Sequence, residues 1–181
     1  MTETLSAADK IAVIGKAAKA ASFQIANAST QQKNAVLLKL ADLLGDNLED
    51  LMKANALDLD AGAKAGLSDA FLDRLAITDK VVAQMVEGLR QIASLRDPIG
   101  EVVDIRPQPS GIEVGRMRTP LGVVAIIYES RPNVTIDATA LCIKSGNAAI
   151  LRGGSDAKHS NAFLASLIAQ ALQACGLPSD T

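Results

Sequence analysis

Gly122-Val123-Val124-Ala125-Ile126-Ile127-Tyr128-Glu129-Ser130-Arg131-Pro132-Asn133 and, one helix later, Ala148-Ala149-Ile150-Leu151-Arg152-Gly153-Gly154-Ser155-Asp156 are the stretches that decide the fold. Each opens on an apolar run of strand length and closes on a polar loop. A run without alternation is expected of a strand whose sheet is covered on both faces. The intervening helix starts at Asn133 and stops at Gly146-Asn147, with Gly146 just past the last turn, where a left-handed backbone is needed. A last helix begins at Ser155 or Asp156 and runs to about Cys175, with Gly176 and Pro178 as its stop signals. Residues 120–176 therefore read β-α-β-α, which implies parallel strands in a doubly wound α/β sheet of Rossmann-like type. Ligands of such sheets bind at the carboxyl ends of the strands, where both polar loops lie.

Working outward, Ile99 to Met117 reads as a protruding β-hairpin, Glu101–Ile105 and Ile112–Met117 about a Pro107-Gln108-Pro109-Ser110-Gly111 turn, one face apolar and the other charged. Its unpaired edges predict a contact with a second copy of the chain. All six prolines lie at Pro98 or beyond, and the preceding sequence reads as helices. The first runs from Ser6 to about Asn27, with Ser6 and Asp9 spaced as a capping box. A second starts near Thr30, carries a buried stripe of Val36, Leu37, Leu40, Leu43 and Leu44, and stops at Gly45. Asp46-Asn47-Leu48-Glu49 is a further capping-box start. A short helix spans Ser68 to Leu75, and another, capped by Thr78, buries Val82, Met85, Leu89 and Ile92. Glu49, Asp50, Asp58 and Asp60 read as solvated helix faces. The expected organisation is helices over 1–100, the oligomerising hairpin over 101–119 and the βαβα unit over 120–181.

Composition narrows the function. Aromatics are 2% of 181 residues with no Trp, so the core must be aliphatic. Eighteen Lys and Arg against twenty Asp and Glu supply no general attraction for nucleic acid or an anionic membrane. The longest apolar run, Leu121–Ile127, is far short of the roughly 20 residues a membrane helix needs. No basic start precedes an apolar block at the N-terminus, and two cysteines make neither a disulfide framework nor a zinc site. A cytoplasmic protein is the expectation.

Gly153 and Gly154 let backbone N–H groups approach a ligand, the following helix start favours phosphate, and Arg152 offers a fork of donors. Taken alone the signal is weak, because Gly-Gly-Ser-Asp is also an ordinary loop with Ser155 or Asp156 as cap. Neither G-x-G-x-x-G nor the P-loop pattern is present. In the first loop, Asn133 has two compatible roles. Its amide oxygen suits a helix N-cap, and its nitrogen suits an oxyanion donor. Arg131 either binds an anionic substrate or pairs with Glu129, and Asp137 complements the helix dipole. His159, the only histidine, reads as a surface residue. Cys142 reads as a buried inert thiol, Cys175 has no basic partner nearby, and no nucleophile is paired with a base in the chain.

Thr119-Pro120-Leu121-Gly122-Val123-Val124, Tyr128-Glu129-Ser130-Arg131-Pro132-Asn133-Val134-Thr135 and Lys144-Ser145-Gly146-Asn147-Ala148-Ala149-Ile150-Leu151-Arg152-Gly153-Gly154-Ser155 closely resemble the γ-glutamyl phosphate reductases (glutamate-5-semialdehyde dehydrogenases) of the aldehyde dehydrogenase superfamily. The resemblance implies an aldehyde-dehydrogenase-like fold and NADPH-dependent reduction of L-glutamate 5-phosphate to the 5-semialdehyde, with phosphate released, in proline biosynthesis. It places Asn133, after Arg131-Pro132, as the oxyanion donor, and Ser130 and Arg131 toward the substrate. Arg152 and Ser155 stand where the superfamily commonly has Lys and Glu at the ribose, which implies NADP(H), with Arg152, Gly153, Gly154 and Ser155 as its contacts. It also implies a homo-oligomer and glutamate 5-kinase as a partner. The nucleophilic cysteine and the catalytic domain are expected beyond Thr181, which leaves this portion inactive, with apolar surface uncovered and poor stability alone. Other readings are another aldehyde or acyl-phosphate dehydrogenase, or a non-catalytic α/β nucleotide-binding module.

Overall fold

The computed structural model describes residues 6–179. Five helices lead: α1 Ala7–Ala26, α2 Thr30–Asp46, α3 Leu48–Lys64, α4 Asp69–Leu75 and α5 Asp79–Ser94. The hairpin β1 Val102–Pro107 and β2 Glu113–Met117 follows, then β3 Val123–Ile127, α6 Asn133–Lys144, β4 Ala148–Arg152, a short 3-10 turn Ser155–Ala157 and α7 Lys158–Ala174.

Local chemistry sets three of the helix starts. Ser6 accepts the Asp9 N–H at 3.2 Å and donates its hydroxyl to the Asp9 carboxylate at 2.5 Å. Ser29 and Thr78 cap α2 and α5 by accepting from the Gln32 and Val81 N–H groups. Two boundaries differ from the sequence reading. Gly45 does not end α2, which continues to Asp46. Asn47 separates α2 from α3 by one residue, and its side chain turns back to donate to the Leu43 carbonyl at 2.8 Å. With the amide used to close α2, no side-chain capping bond forms at the start of α3.

The core is aliphatic. Ile25, Val36, Leu37, Leu40, Leu44, Met85, Leu89, Ile136, Ile143, Leu164 and Leu172 form one buried cluster joining α1, α2, α5, α6 and α7. Fully burying each such side chain contributes about 1.5–3 kcal/mol. Under it lies a polar knot: Lys33 pairs with Asp97 at 2.5 Å, and buried Lys144 donates to Asn34 Oδ1 at 2.7 Å and the Ala93 carbonyl at 2.9 Å. Lys144 and the following Gly146-Asn147 are structural. Gly146 has φ +70°, and a Cβ there would meet the Pro120 ring at 3.0 Å. Asn147 accepts the Gly122 N–H at 2.8 Å and so fixes the entry into β3.

β3 and β4 pair in parallel, Val123 with Ala148 through Ile127 with Arg152. α1 and α6 pack against β4. β3 is not covered on both faces as its apolar run predicts: Ile127 is 85% exposed and Val123 and Val124 only half-buried. Among the described residues this sheet has two strands, so the free edge and part of β3 lack a neighbouring layer.

The hairpin is antiparallel, but a bulge corrects the expected alternation. Asp104 and Ile105 oppose the single Gly115, and Asp104 sits at φ +56°. The kink brings Ile105 onto the same side as Val102: a Cβ on Gly115 would lie 3.0 Å from one and 3.2 Å from the other. Both strands are exposed throughout.

Candidate functional site

The parallel register sets the two strand-end loops side by side, and the Tyr128 N–H donates to the Arg152 carbonyl at 3.1 Å. The Tyr128 hydroxyl lies 2.6 Å from Thr135 Oγ1, which donates to Asn161 Oδ1 at 2.9 Å. Ser130, 5% exposed, donates to Asp156 at 3.5 Å and ties the loops a second time.

Asn133 is the first residue of α6, flanked by helical Pro132, and makes no capping bond. The N-cap role is therefore overturned: helical geometry begins one residue too early for its side chain to reach the first-turn N–H groups. Its amide nitrogen instead donates to Asp137 Oδ2, one turn on, at 3.2 Å. A carboxylate only accepts, so Asp137 determines which way the amide points; a second N–H is left for a ligand. Burial pushes the Asp137 carboxyl above its ordinary range, against the opposing effect of the Asn133 hydrogen bond.

These groups open onto a cavity of about 310 Å³ between α4, α5 and the start of α6, whose polar wall is Asp73, Arg74, Gln84, Arg131, Asn133 and Asp137. A smaller hollow of about 100 Å³ adjoins it, bounded by Arg74, Tyr128, Ser130 and Arg131. Arg131 meets Glu129 only through its backbone N–H, at 2.7 Å, and pairs with no described carboxylate.

At the second loop, Arg152 is exposed and its guanidinium folds onto the Gly153 carbonyl. Gly153 is required by its neighbours: a Cβ there would collide with the Asn161 amide and lie 3.1 Å from the Tyr128 hydroxyl. The N–H groups of Gly153 and Gly154 donate to no described residue. Ser155 and Asp156 do not cap the helix, because the 3-10 turn carries no side-chain capping bond. The cap comes from Asp58 of α3. Its carboxylate, 2% exposed, accepts the His159 N–H at 2.9 Å and the Ser160 N–H and hydroxyl at 2.7 Å each. Asp58 is thus not a solvated residue, and the dipole of α7 is already met by a carboxylate. A phosphate here is left the Gly153 and Gly154 N–H groups and Arg152, a donor set that suits an anion.

Asn133, Ser130 and Arg131 stand together on one loop, while Arg152 to Ser155 stand on the neighbouring one. His159 is exposed, and burial pushes the Cys142 thiol up. Among the described residues no group of His, Cys, Asp and Glu is placed to hold a metal, and no helix is long and apolar enough to cross a membrane. Asp137 reads in the sequence only as a complement to the helix dipole; its four-residue spacing from Asn133 is the signal that points to the bond. Asp58 was not legible, since its partners lie a hundred residues away.

Residues 2–181 match the model of the aldehyde dehydrogenase family. A γ-glutamyl phosphate reductase from Thermotoga maritima is 38% identical with a TM-score of 0.89, covering 92% of this chain and 40% of its own. The Saccharomyces cerevisiae γ-glutamyl phosphate reductase is 32% identical with a TM-score of 0.87, covering 98% of this chain and 45% of its own. PnpE in complex with nicotinamide adenine dinucleotide shares the fold at 20% identity and a TM-score of 0.71, over 94% of this chain and 32% of its own. The chain thus spans less than half the length of these relatives. With the loop geometry and the family model in agreement over the whole described fold, the chain belongs to the aldehyde dehydrogenase family.

Proposed function

We propose that this chain supplies the oxyanion donor and part of the cofactor site of a γ-glutamyl phosphate reductase, which reduces L-glutamate 5-phosphate to L-glutamate 5-semialdehyde and releases phosphate. The observation that carries the reading is Asn133, held by Asp137 at 3.2 Å with one N–H to spare at the mouth of a polar cavity. Identity of 38% and 32% to two γ-glutamyl phosphate reductases supports the same substrate. A tetrahedral oxyanion beside Asn133 accepts that N–H, a contact whose loss costs about 10²–10³ in kcat. Arg131 meets the phosphoryl or carboxylate charge of the substrate, and Ser130 holds the loop against Asp156.

NADP(H), when bound, supplies the hydride. Arg152 and the free N–H groups of Gly153 and Gly154 bind its adenosine-side phosphate, with Ser155 beside them; a guanidinium with no acidic residue at Ser155 favours a 2′-phosphate over a bare ribose. The exposed hairpin joins copies of the chain, since an isolated two-stranded hairpin is marginally stable in water. Glutamate 5-kinase, which makes the acyl phosphate, is the partner this reading implies. The two free cysteines suit a reducing, cytoplasmic compartment.

Calorimetric titration of this chain with NADPH and NADH tests the cofactor reading. Tighter binding of NADPH, weakened about tenfold or more by Arg152→Ala, is expected. Equal affinity for both, unchanged by the substitution, removes Arg152 from the site.

A further inference from the structure

The cavity beside Asn133 has a charge pattern that the oxyanion role does not use. Asp73 and Arg74 come from α4, Arg131 precedes α6, and Asp137 lies one turn inside it, so two acids and two guanidiniums line one cavity. None of the four forms a salt bridge with another or with any described residue. Asp73, Arg74 and Arg131 are exposed and Asp137 is half-buried, so the cavity offers free partners of both signs to a ligand that carries both. The volume of about 310 Å³ is at the lower end for small-ligand pockets.

We infer that this cavity recognises the α-amino-acid headgroup of the substrate, Asp137 and Asp73 taking the ammonium, Arg131 and Arg74 the carboxylate. The inference rests on the reductase reading above and adds the residues that select the headgroup. Asp137 is the pivot. It holds the Asn133 amide at 3.2 Å, and two methylenes between the acyl carbon and the α-carbon are short enough for an ammonium to reach the same carboxylate. The partial burial that disfavours the ionised Asp137 is relieved by an incoming ammonium. Arg131 and Arg74 also border the adjoining 100 Å³ hollow, so a carboxylate between them stays clear of the Asn133 amide.

The test is run in the oxidative direction, with NADP⁺ and phosphate, on the full-length enzyme that carries this chain. Three aldehydes are compared: L-glutamate 5-semialdehyde, 5-oxopentanoate, which lacks the amine, and 4-aminobutanal, which lacks the carboxylate. Asp73→Asn is expected to lower kcat/KM for the two amine-bearing aldehydes about tenfold, mainly through KM, and to leave 5-oxopentanoate within about twofold. Arg74→Gln is expected to penalise the two carboxylates and spare 4-aminobutanal. Asp137→Asn, which also loosens the Asn133 amide, is expected to slow all three aldehydes, the amine-bearing pair about tenfold more than 5-oxopentanoate. Variants that slow all three aldehydes equally, or none, overturn the headgroup site while the reductase reading stands. A wild-type enzyme that turns over another aldehyde but not L-glutamate 5-semialdehyde overturns the reading itself, and the inference with it.

Discussion

Asp58 shows how far a single carboxylate reaches. It accepts two backbone N–H groups and one hydroxyl at the start of α7, and the neighbouring Asn55 donates to Ser160 Oγ at 3.1 Å and to the Leu75 carbonyl at 2.9 Å. One polar cluster therefore pins α3, α4 and α7. Asp58→Ala removes the cap and leaves buried donors unmatched, an expected loss of about 2–4 kcal/mol. Asp60→Ala, two residues on, breaks only the exposed pair with Lys64 and should stay within about 0.5 kcal/mol. Urea midpoints of the two variants give the contrast; equal losses would contradict the assignment. Asp97 carries the pH dependence. Burial pushes its carboxyl up, but hydrogen bonds from Lys33, the Ile99 N–H and Thr30, with the Lys33 charge, outweigh burial and hold it below the ordinary carboxylate range. A depressed folded value means the stabilisation is complete above the unfolded pKa of about 4 and fades as pH falls through the folded one. Asp97→Asn should flatten that acid limb of the stability–pH curve. It should also cost about 3 kcal/mol near neutrality, because Lys33 is 2% exposed and left unpaired.

At the scale of elements, the two strand-end loops act as one unit through Tyr128, Thr135, Asn161, Ser130 and Asp156. Gly153 and Gly154 look alike in sequence, but their surroundings differ. Gly153→Ala must displace Asn161 and Tyr128, while a Cβ on Gly154 meets only Glu129 and Ser130 backbone at 3.7 Å, ordinary contact. The first substitution is expected to cost about 1–3 kcal/mol and the second under about 0.5, read from thermal midpoints. A matching loss at Gly154 would mean that the loop, not the side-chain network, sets the requirement. The hairpin obeys a different rule. Its bulge at Asp104-Ile105 twists the exposed ribbon, and Arg118 Nε reaches Glu101 at 3.2 Å to hold its base.

For the whole molecule, the decisive feature is the apolar surface left open. Ile11 is 70%, Phe23 61%, Leu121 86% and Ile127 85% exposed, alongside Ile105, Ile112 and Met117 of the hairpin. Isolated exposed side chains are ordinary, but this many, with those of the hairpin gathered on one exposed ribbon, predict association. Light scattering of the 181-residue chain should show concentration-dependent self-association, reduced by Ile112→Lys together with Val114→Lys. A monomer with a sharp, cooperative melt would contradict this.

Helix starts at Ser6, near Thr30 and at Thr78, the turn at Gly146 and the two strands before their polar loops were legible from the amino-acid order alone. Capping and periodicity act between residues three or four apart, so the information is local. The family was legible too, because its motifs stand on these loops. Tertiary structure alone decided that Asp58 is buried against Ser160, 102 positions away, and that Gly153 is demanded by Asn161. It also decided that Val123–Ile127, apolar enough for two covered faces, lies partly open. Hydrophobic pattern states how much burial a segment suits, whereas its actual cover depends on which other elements arrive. The Asn133–Asp137 bond belongs with these tertiary decisions: the sequence offered the amide as cap and as donor, and only the early start of α6 removed the cap role and set the amide against Asp137.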